Sequence, residues 1–296
     1  MIKELGGLGC APLWAISSIL LKSQTDKLDA MRINAMRGIA ASVFLIVAAL
    51  IFVGVGQLAT LSLSAAIYLH LSVLIGLVLG DTLYIKGMAI VGASKALPIS
   101  IVYPIFVLPF SMTIGGESLS LLAIGGIFIV AAGLYLITKP ERGSEKLSGE
   151  ARRRYWQGVL FVMGASLCWA VGTTMLGFAM TGLNSLLAGA IRMPFMTLVL
   201  FAIIYFRKGD IRPWSGGLSS FVILSLSGII GIGFGGVLFM LGVKYAGAAR
   251  SAILSSTAPL FGVPLSMFML RERITLKIVL GTILCVTGIW FVIWQS

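Results

Sequence analysis

The strongest constraint on this chain is that apolar runs of about twenty residues recur along nearly all of its length. An α-helix rises roughly 1.5 Å per residue, so each run is long enough to cross a hydrocarbon core of roughly 30 Å. Hydrophobic residues make up 58% of the chain and charged residues only 11%, which leaves too little polar surface for a soluble globule. The sequence therefore predicts an all-α membrane protein with many spans.

The predicted spans divide into two groups of five. Residues 139–155 form the only long polar stretch, and we predict a basic linker there. Residues 1–138 and 156–296 are then the two five-helix units. The ten predicted transmembrane helices are 4–21, 33–54, 65–88, 95–114, 119–138, 156–178, 186–206, 218–244, 250–270 and 276–294.

Residues of the two units match at a single spacing of 155 positions, which is the mark of an internal repeat. Apolar sequences align leucines by chance, but not Trp, Arg, Pro and Glu at one spacing. The matched pairs include Trp14 and Trp169, Arg37 and Arg192, Gly80 and Gly235, Lys95 and Arg250, Ser100 and Ser255, Pro104 and Pro259, and Glu117 and Glu272. Because five spans is an odd number, the second unit enters the membrane with the opposite orientation. Two inverted five-helix repeats are typical of secondary transporters, with a site near the midplane.

Residues 80–120 and 235–275 resemble the signature of the drug/metabolite transporter superfamily, in particular its ten-helix EamA-type members. The resemblance covers essentially the whole chain and implies a membrane transporter rather than an enzyme. Members of this superfamily export amino acids and drugs, import sugars, exchange sugar phosphates or nucleotide sugars, and move lipid-linked sugars. The resemblance therefore leaves the substrate open.

We expect a secondary transporter of small metabolites, such as amino-acid or drug-like solutes, with proton coupling as one option. The alternatives are a lipid-linked-sugar flippase, a sugar or sugar-phosphate permease of the same fold, and a channel. The chain has no GxxxxGK[ST] motif for an ATP-driven pump, and one histidine without HExxH or GxSxG gives no basis for an intramembrane enzyme. We predict no cofactor, no metal and no nucleic-acid partner. Membrane lipid is the expected surrounding, and the protein is expected to be a monomer or a weak homodimer.

The distribution of cations predicts the orientation in a cell membrane. The connections after the odd-numbered helices hold 17 Lys and Arg residues, whereas the other side holds three. The positive-inside rule then makes the first side cytoplasmic and puts both termini outside. Familiar EamA-type members are usually drawn with both termini inside.

Asp81 is the most informative polar residue within a predicted span. A charge near the centre of a membrane helix costs about 2.5–3.5 kcal/mol, and the repeat mate of Asp81 is Gly236. One interpretation is a proton or cation coupling site, or a counter-charge for a substrate amine. The other is a buried ion pair with Lys95, Lys86 or Arg37 that only aligns the helices.

Other charged residues favour structural roles. Arg37 and Arg192 occur at matching positions in both halves, which favours a scaffold. Lys95 begins the fourth span, where it either reaches the interface or guides an anionic substrate. Glu117 and Glu272 precede the fifth and tenth helices, and we expect each carboxylate to stabilise that helix N-terminus.

Pro104 and Pro259 lie in the middle of the fourth and ninth predicted helices and predict a kink in each. Each proline frees the carbonyl four residues earlier, at Ser100 or Ser255. Such a carbonyl either faces a wet cavity or is satisfied by its own serine hydroxyl.

Aromatic and hydroxyl side chains on helices that surround the cavity in the family complete the predicted site. Rings contact the apolar part of a small amphipathic solute, and hydroxyls fix its polar part. The predicted substrate-binding residues are Trp14, Ser18, Tyr84, Ser100, Tyr103, Trp169, Thr173, Phe239, Ser255 and Ser256. Glycine pairs seven apart, Gly126 with Gly133 and Gly281 with Gly288, predict that the fifth and tenth helices either pack the halves together or mediate an oligomer.

Overall fold

The structure is a computed structural model that describes residues 2–54, 56, 61–107, 109, 121–139, 149–208 and 216–293. Within these residues the chain is a bundle of helices without strands. The helices, in chain order, are α1 (Ile2–Lys22), α2 (Ala30–Phe52), α3 (Leu63–Val91), α4 (Ala93–Val107), α5 (Leu121–Thr138), α6 (Gly149–Ala179), α7 (Ser185–Lys208), α8 (Gly217–Ala246), α9 (Ala248–Leu270) and α10 (Leu276–Ile293).

Length and apolar composition suit most of these helices to a membrane. Six of the helices in the described ranges, α2, α3 and α6 to α9, are long and apolar enough to cross one. The other four contain shorter apolar stretches: Gly6–Lys22, Ala93–Val107, Gly125–Thr138 and Leu276–Phe291. The chain is therefore a multi-pass helical membrane protein.

Helices of the first half pack mainly against helices of the second. α1 contacts α8, α2 contacts α7, α3 contacts α6, and α5 contacts α10. A shift of 155 residues relates α1 to α6 and α3 to α8. The contact of α1 with α8 is therefore equivalent, by the repeat, to the contact of α3 with α6. The core consequently lies between the two halves rather than within either one.

α5 and α10 approach closely because glycines face the partner backbone. A Cβ atom at Gly133 would lie 2.7 Å from the carbonyl oxygen of Gly281, and one at Gly288 would lie 2.7 Å from that of Gly126. These glycines therefore pack the halves of one chain together, which is the first of the two predicted alternatives.

α3 and α8 each contain a π-helical segment, Leu74–Asp81 and Gly228–Gly235. Near the end of each segment a glycine meets a tryptophan of the opposite half. A Cβ atom at Gly80 or Gly235 would lie 3.0 Å from the indole Cδ1 of Trp169 or Trp14, respectively. π-helical turns are frequent at functional sites, and these two place their glycines beside the space between the halves.

α3 passes into α4, and α8 into α9, through one glycine each. Gly92 and Gly247 have φ values of 86° and 85°, a region that is strained for residues with a Cβ. Glu272, which follows α9, accepts hydrogen bonds from the backbone N–H groups of Ala93 at 2.8 Å and Ser94 at 2.7 Å. The prediction that Glu272 stabilises its own helix, α10, was therefore wrong: it caps α4 of the other half.

The kinks predicted at the two mid-helix prolines are present. α4 is interrupted by a turn at residues 101–102, just before Pro104, and α9 by a turn at 256–257, just before Pro259. Each proline therefore begins a new helical stretch, where its missing N–H removes no helical hydrogen bond.

The first helix of the second half begins earlier than predicted. α6 begins at Gly149 rather than at 156, so the last residues of the predicted linker are helical. Polar residues suggested a linker, but a helix that extends beyond the apolar region accommodates them equally well. Residues 140–148, the predicted end of the fourth helix at 114 and the position of Glu117 lie outside the described residues.

Candidate functional site

A cavity of about 170 Å³ lies between the two halves. A site for one water needs roughly 10–15 Å³, so the cavity has room for a small solute. Most of its lining is apolar. The predicted site residues that line it are Trp14, Ser18, Arg37, Asp81, Tyr84, Ser100, Tyr103, Trp169, Thr173, Arg192, Phe239 and Ser255.

Two predicted residues lie elsewhere. Ser256 is buried in the turn that interrupts α9, and its hydroxyl donates to the Ile253 carbonyl at 2.6 Å. Lys95 lines a separate surface depression together with Glu272, and its Nζ lies 5.1 Å from the centre of the Tyr155 ring. Placing Ser256 among the substrate-binding residues was therefore wrong, because its hydroxyl is used within the turn. The surface position of Lys95 agrees with the first of its two predicted roles, reaching the interface.

Contacts around the cavity come in pairs related by the 155-residue shift. The Trp14 ring lies 5.0 Å from that of Phe239, and the Trp169 ring lies 5.1 Å from that of Tyr84. Shifting Trp14 and Tyr84 by 155 positions gives Trp169 and Phe239. Both ring pairs join one half to the other, so the two halves contribute equivalent walls.

Polar contacts beside the helix breaks also join the halves. The hydroxyl groups of Tyr103 in α4 and Ser255 in α9 are 2.5 Å apart. The Ser166 hydroxyl of α6 lies 3.0 Å from the Ser100 carbonyl, which Pro104 frees, and 3.1 Å from the Val162 carbonyl of its own helix, so its one proton is shared between them. The Ser100 hydroxyl instead donates to the Leu97 carbonyl, so the alternative in which this serine satisfies its own freed carbonyl does not hold.

Asp81 belongs to a buried network that extends from α2 to α6. Its Oδ2 forms a salt bridge with Nη2 of Arg37, and its Oδ1 accepts a hydrogen bond from Trp169 Nε1 at 2.7 Å. Arg37 Nε donates to Asn34 Oδ1 at 3.0 Å. Asn34 Nδ2 in turn donates to the Leu77 carbonyl in the π-helical segment at 2.8 Å. The ion pair with Arg37 is one of the two predicted interpretations of Asp81.

Arg192, the repeat mate of Arg37, lacks this network. Its side chain is 7% exposed, and its Nε has no hydrogen-bond partner among the described residues. Its Nη1 lies 3.5 Å from the sulfur of Met240, a weak acceptor. The repeat mates of Asn34 and Asp81 are Gly189 and Gly236, which have no side chain to offer.

Several residues that matter at this site were missed from the sequence. Asn34 and Ser166 are short polar residues within apolar runs, and nothing in their spacing marks them. Gly76 and its mate Gly231 carry a usable signal, because each lies four residues before a glycine of the matched pair Gly80 and Gly235, where the opposite half approaches. Within the described residues no group of three or more His, Cys, Asp or Glu side chains is placed to hold a metal ion.

A helical bundle with a polar network in a central cavity between two equivalent halves is the architecture of a membrane transporter. The family model of the EamA-like transporter family matches residues 1–139 and 156–294, and the chain belongs to this family. The family transports solutes and is not a family of enzymes. Membership thus agrees with the resemblance seen in the sequence.

Similar proteins carry the same description. An "Uncharacterized transporter" of Archaeoglobus fulgidus is 26% identical over 292 residues, which cover 98% of this chain and 97% of that protein. The "Uncharacterized transporter YoaV" of Bacillus subtilis is 22% identical over 134 residues, 45% of each chain. A crystal structure of another protein shares the fold, with a TM-score of 0.72 at 17% identity, over 99% of this chain and 96% of that one.

Proposed function

We propose that this protein is a secondary transporter that moves small metabolites across the cell membrane by alternating access. In this proposal ten spans form two inverted five-helix repeats, 1–138 and 156–296, joined by residues 139–155, of which 149–155 belong to α6. The cargo, an amino-acid or drug-like solute, binds in the cavity between the halves. The ring pairs Trp14–Phe239 and Trp169–Tyr84, related by the 155-residue shift, carry the proposal, since inverted repeats around one central site are the framework of secondary transporters.

The contact of Glu272 with the start of α4 supports a change of access. A carboxylate that accepts two backbone N–H groups forms charge-assisted hydrogen bonds, which are stronger than neutral ones. The contact joins the two halves at the end of the bundle where α1, α3 and α9 end. We infer that it holds this end closed, and that its release is one step of the transport cycle.

The broken helices supply the flexible points of the proposed cycle. The turns at 101–102 and 256–257 flank the hydrogen bond between Tyr103 and Ser255. Irregular backbone within a membrane is tolerated where it is buried in protein or lines a wet cavity. These turns therefore allow the outer and inner parts of α4 and α9 to move separately.

The contacts of Asp81 support the role of a fixed counter-charge for Arg37. Its two carboxylate oxygens are held by different helices, one by Arg37 of α2 and one by Trp169 of α6. In this role the carboxylate keeps its negative charge throughout the proposed cycle, and proton coupling through Asp81 is the alternative that the Asp81→Asn variant tests. The proposed orientation keeps both termini outside, with the cation-rich connections in the cytoplasm.

Counterflow in proteoliposomes tests the proposal. The purified chain is reconstituted and loaded with an amino-acid, sugar, sugar-phosphate or cationic-drug panel, with and without a proton gradient. We expect saturable uptake of at least one solute class that is accelerated by the same solute on the opposite side. Unsaturable conductance indicates a channel instead, and movement of lipid-linked sugar alone indicates a flippase. Labelling of a cysteine added at each terminus tests the orientation.

A further inference from the structure

The cavity holds one more positive charge than negative charge among its described lining residues. Arg37, Asp81 and Arg192 are its charged side chains, and Arg37 and Asp81 neutralise each other. Arg192 is 7% exposed and forms no salt bridge with a described carboxylate. Asp81 also attracts Arg192 electrostatically, but one carboxylate then faces two guanidinium groups and the cavity keeps a net positive charge. A buried cation without a salt-bridge partner is expensive, and such residues in membrane proteins mark substrate or ion pathways.

The repeat shows which acceptors Arg192 lacks. In the first half, Asn34 accepts from Arg37 Nε and Asp81 pairs with its Nη2. In the second half glycines occupy both positions, and Arg192 Nε has no partner. The site in the second half is therefore the arginine site of the first half with both of its acceptors removed.

The two glycine positions differ in the space they leave. A Cβ atom at Gly189 would meet Leu45 at 3.1 Å and Met240 at 3.3 Å, so that position is filled by apolar side chains. A Cβ atom at Gly236 would meet nothing within 4 Å, and Gly236 lines the cavity. The volume that the Asp81 side chain takes in the first half is thus open in the second.

The hydrogen bonds of Trp14 and its repeat mate Trp169 also show that the second half lacks a carboxylate at this site. In the first half Asp81 accepts the indole N–H of Trp169 at 2.7 Å. In the second half the indole N–H of Trp14 donates to the carbonyl of Gly231 at 3.0 Å, because no carboxylate is present. Arg192 Nη1 contacts the sulfur of Met240, one helical turn after Gly236, so a carboxylate beside Gly236 has the guanidinium and the Trp14 indole around the same cavity.

We propose that Arg192 and the open space at Gly236 form a subsite for the carboxylate of the cargo, which takes the position that Asp81 occupies in the other half. Guanidinium groups match carboxylates in geometry and charge. The cargo is then a small amphipathic monoanion, whose apolar part lies against the ring pairs Trp14–Phe239 and Trp169–Tyr84. This inference rests on the proposed function and narrows its substrate class.

Binding to the purified full-length protein in detergent tests the subsite without requiring transport. The probes are acetate, benzoate and phenylacetate, with phenylacetamide, phenethylamine and chloride at equal ionic strength. We expect phenylacetate to raise the melting temperature and to bind at least about ten-fold more tightly than phenylacetamide or phenethylamine. Equal stabilisation by chloride, preference for the amine or amide, or no shift with any carboxylate would overturn the proposal.

Two substitutions of Gly236 distinguish the effect of an added negative charge from the effect of added side-chain volume. Gly236→Asp supplies the missing carboxylate internally, at a helical position with φ −65° that accepts a side chain without strain. It should raise the melting temperature and abolish the effect of phenylacetate. Gly236→Asn adds similar bulk without charge and should keep the preference for carboxylate over amide at lower affinity. Undiminished phenylacetate binding by Gly236→Asp would overturn the subsite.

Arg192→Gln tests the cation itself. The variant should bind phenylacetate and phenylacetamide within about two-fold of each other, because the charge that distinguishes them is gone. An unchanged preference for phenylacetate would contradict the proposal. Counterflow with the same probes distinguishes failure of the carboxylate subsite from failure of the proposed function. Transport of amines or sugars but not of carboxylates would overturn the subsite alone. Absence of saturable transport for every solute would overturn the proposed function.

Discussion

Trp169 of the second half donates its indole N–H to Asp81 of the first half at 2.7 Å, and so completes the surroundings of the buried ion pair with Arg37. Its repeat mate Trp14 makes the corresponding approach to α8 but donates to the backbone of Gly231 at 3.0 Å. The two tryptophans thus have equivalent positions and different acceptors, one charged and one neutral.

That difference predicts unequal effects of removing the two indole N–H groups. Trp169→Phe removes a hydrogen bond to a carboxylate and should lower the free energy of unfolding by about 1.5–3 kcal/mol. Trp14→Phe is the matched control, since it removes a hydrogen bond to a neutral carbonyl, and should cost about 0.5–1.5 kcal/mol. Denaturant unfolding in detergent measures both values. A larger loss for Trp14→Phe would contradict the importance given to Asp81.

Asp81→Asn should be among the most damaging single changes in the chain. It leaves Arg37 buried without a counter-charge, which costs about 3–5 kcal/mol. Replacing both partners, Arg37→Met with Asp81→Leu, removes the two charges together and should recover most of the lost stability. If the double variant is no more stable than Asp81→Asn, the ion pair is not the source of the loss.

The same variant tests the proton-coupling interpretation of Asp81. As a fixed counter-charge, Asp81 carries no proton during transport, so Asp81→Asn protein that is still folded should respond to a proton gradient as the original chain does. The measurement is counterflow with and without the gradient. Loss of the gradient response with retained exchange would instead assign proton coupling to Asp81.

Glu272→Ala should weaken the closed end of the bundle. The variant leaves the N–H groups of Ala93 and Ser94 without their carboxylate acceptor, so the two halves separate more readily there. A cysteine introduced at Ser18, with Cys10, Cys168 and Cys285 replaced, reports access to the cavity. We expect a several-fold faster reaction with an impermeant thiol reagent added from that side.

Glu150→Ala is the control for this experiment, because it removes an exposed carboxylate at the start of α6. Its labelling rate should match that of the parent protein. Equal rates in Glu272→Ala and Glu150→Ala would show that the Glu272 contact does not govern access.

Ser166→Ala should destabilise the break in α4. It removes the hydroxyl that satisfies the Ser100 carbonyl and leaves a buried acceptor unpaired, at a cost of about 1–3 kcal/mol. Ser266→Ala is the control, since the Ser266 hydroxyl donates at 2.8 Å to Val263 within its own helix. Thermal unfolding in detergent compares the two, and equal losses would argue against a special role for Ser166.

Gly133→Ala should loosen the packing of α5 on α10. The added methyl group would lie 2.7 Å from both the Gly281 carbonyl and the Cys285 sulfur, an overlap that costs about 1–3 kcal/mol. At Gly125 a Cβ atom meets nothing within 4 Å, so Gly125→Ala on the same helix should change little. Similar melting temperatures for the two variants would contradict the close contact between halves.

Much of the fold was predictable because the membrane imposes a strong pattern. Helices must be apolar and long enough to span it, so α2, α3 and α7 to α9 follow directly from apolar runs. The proline breaks in α4 and α9 were predictable for a local reason, since a proline in the interior of a helix cannot donate the hydrogen bond that would continue it. The local pattern gave the wrong start for α6. The polar residues before 156 predicted a linker, but the helix already begins at Gly149.

The candidate site was only partly predictable, because its decisive contacts join residues far apart in the sequence. Aromatic rings such as Trp14 and Tyr84 were found through their repeat mates. Glu272 was assigned to the nearest helix N-terminus, whereas the folded chain brings it to α4 of the other half. Asn34 gave no signal because its repeat mate is Gly189, so no matched pair of polar residues marks the position.

The glycine at position 236 has an evolutionary consequence. One nucleotide change turns a glycine codon into a codon for aspartate or glutamate, and one change turns an aspartate codon into a glycine codon. Because a Cβ atom at Gly236 meets nothing within 4 Å, an acidic side chain can be gained at this position without repacking of the helices. If the proposed subsite is correct, a single mutation at this position is enough to change the charge of the solutes that the cavity accepts.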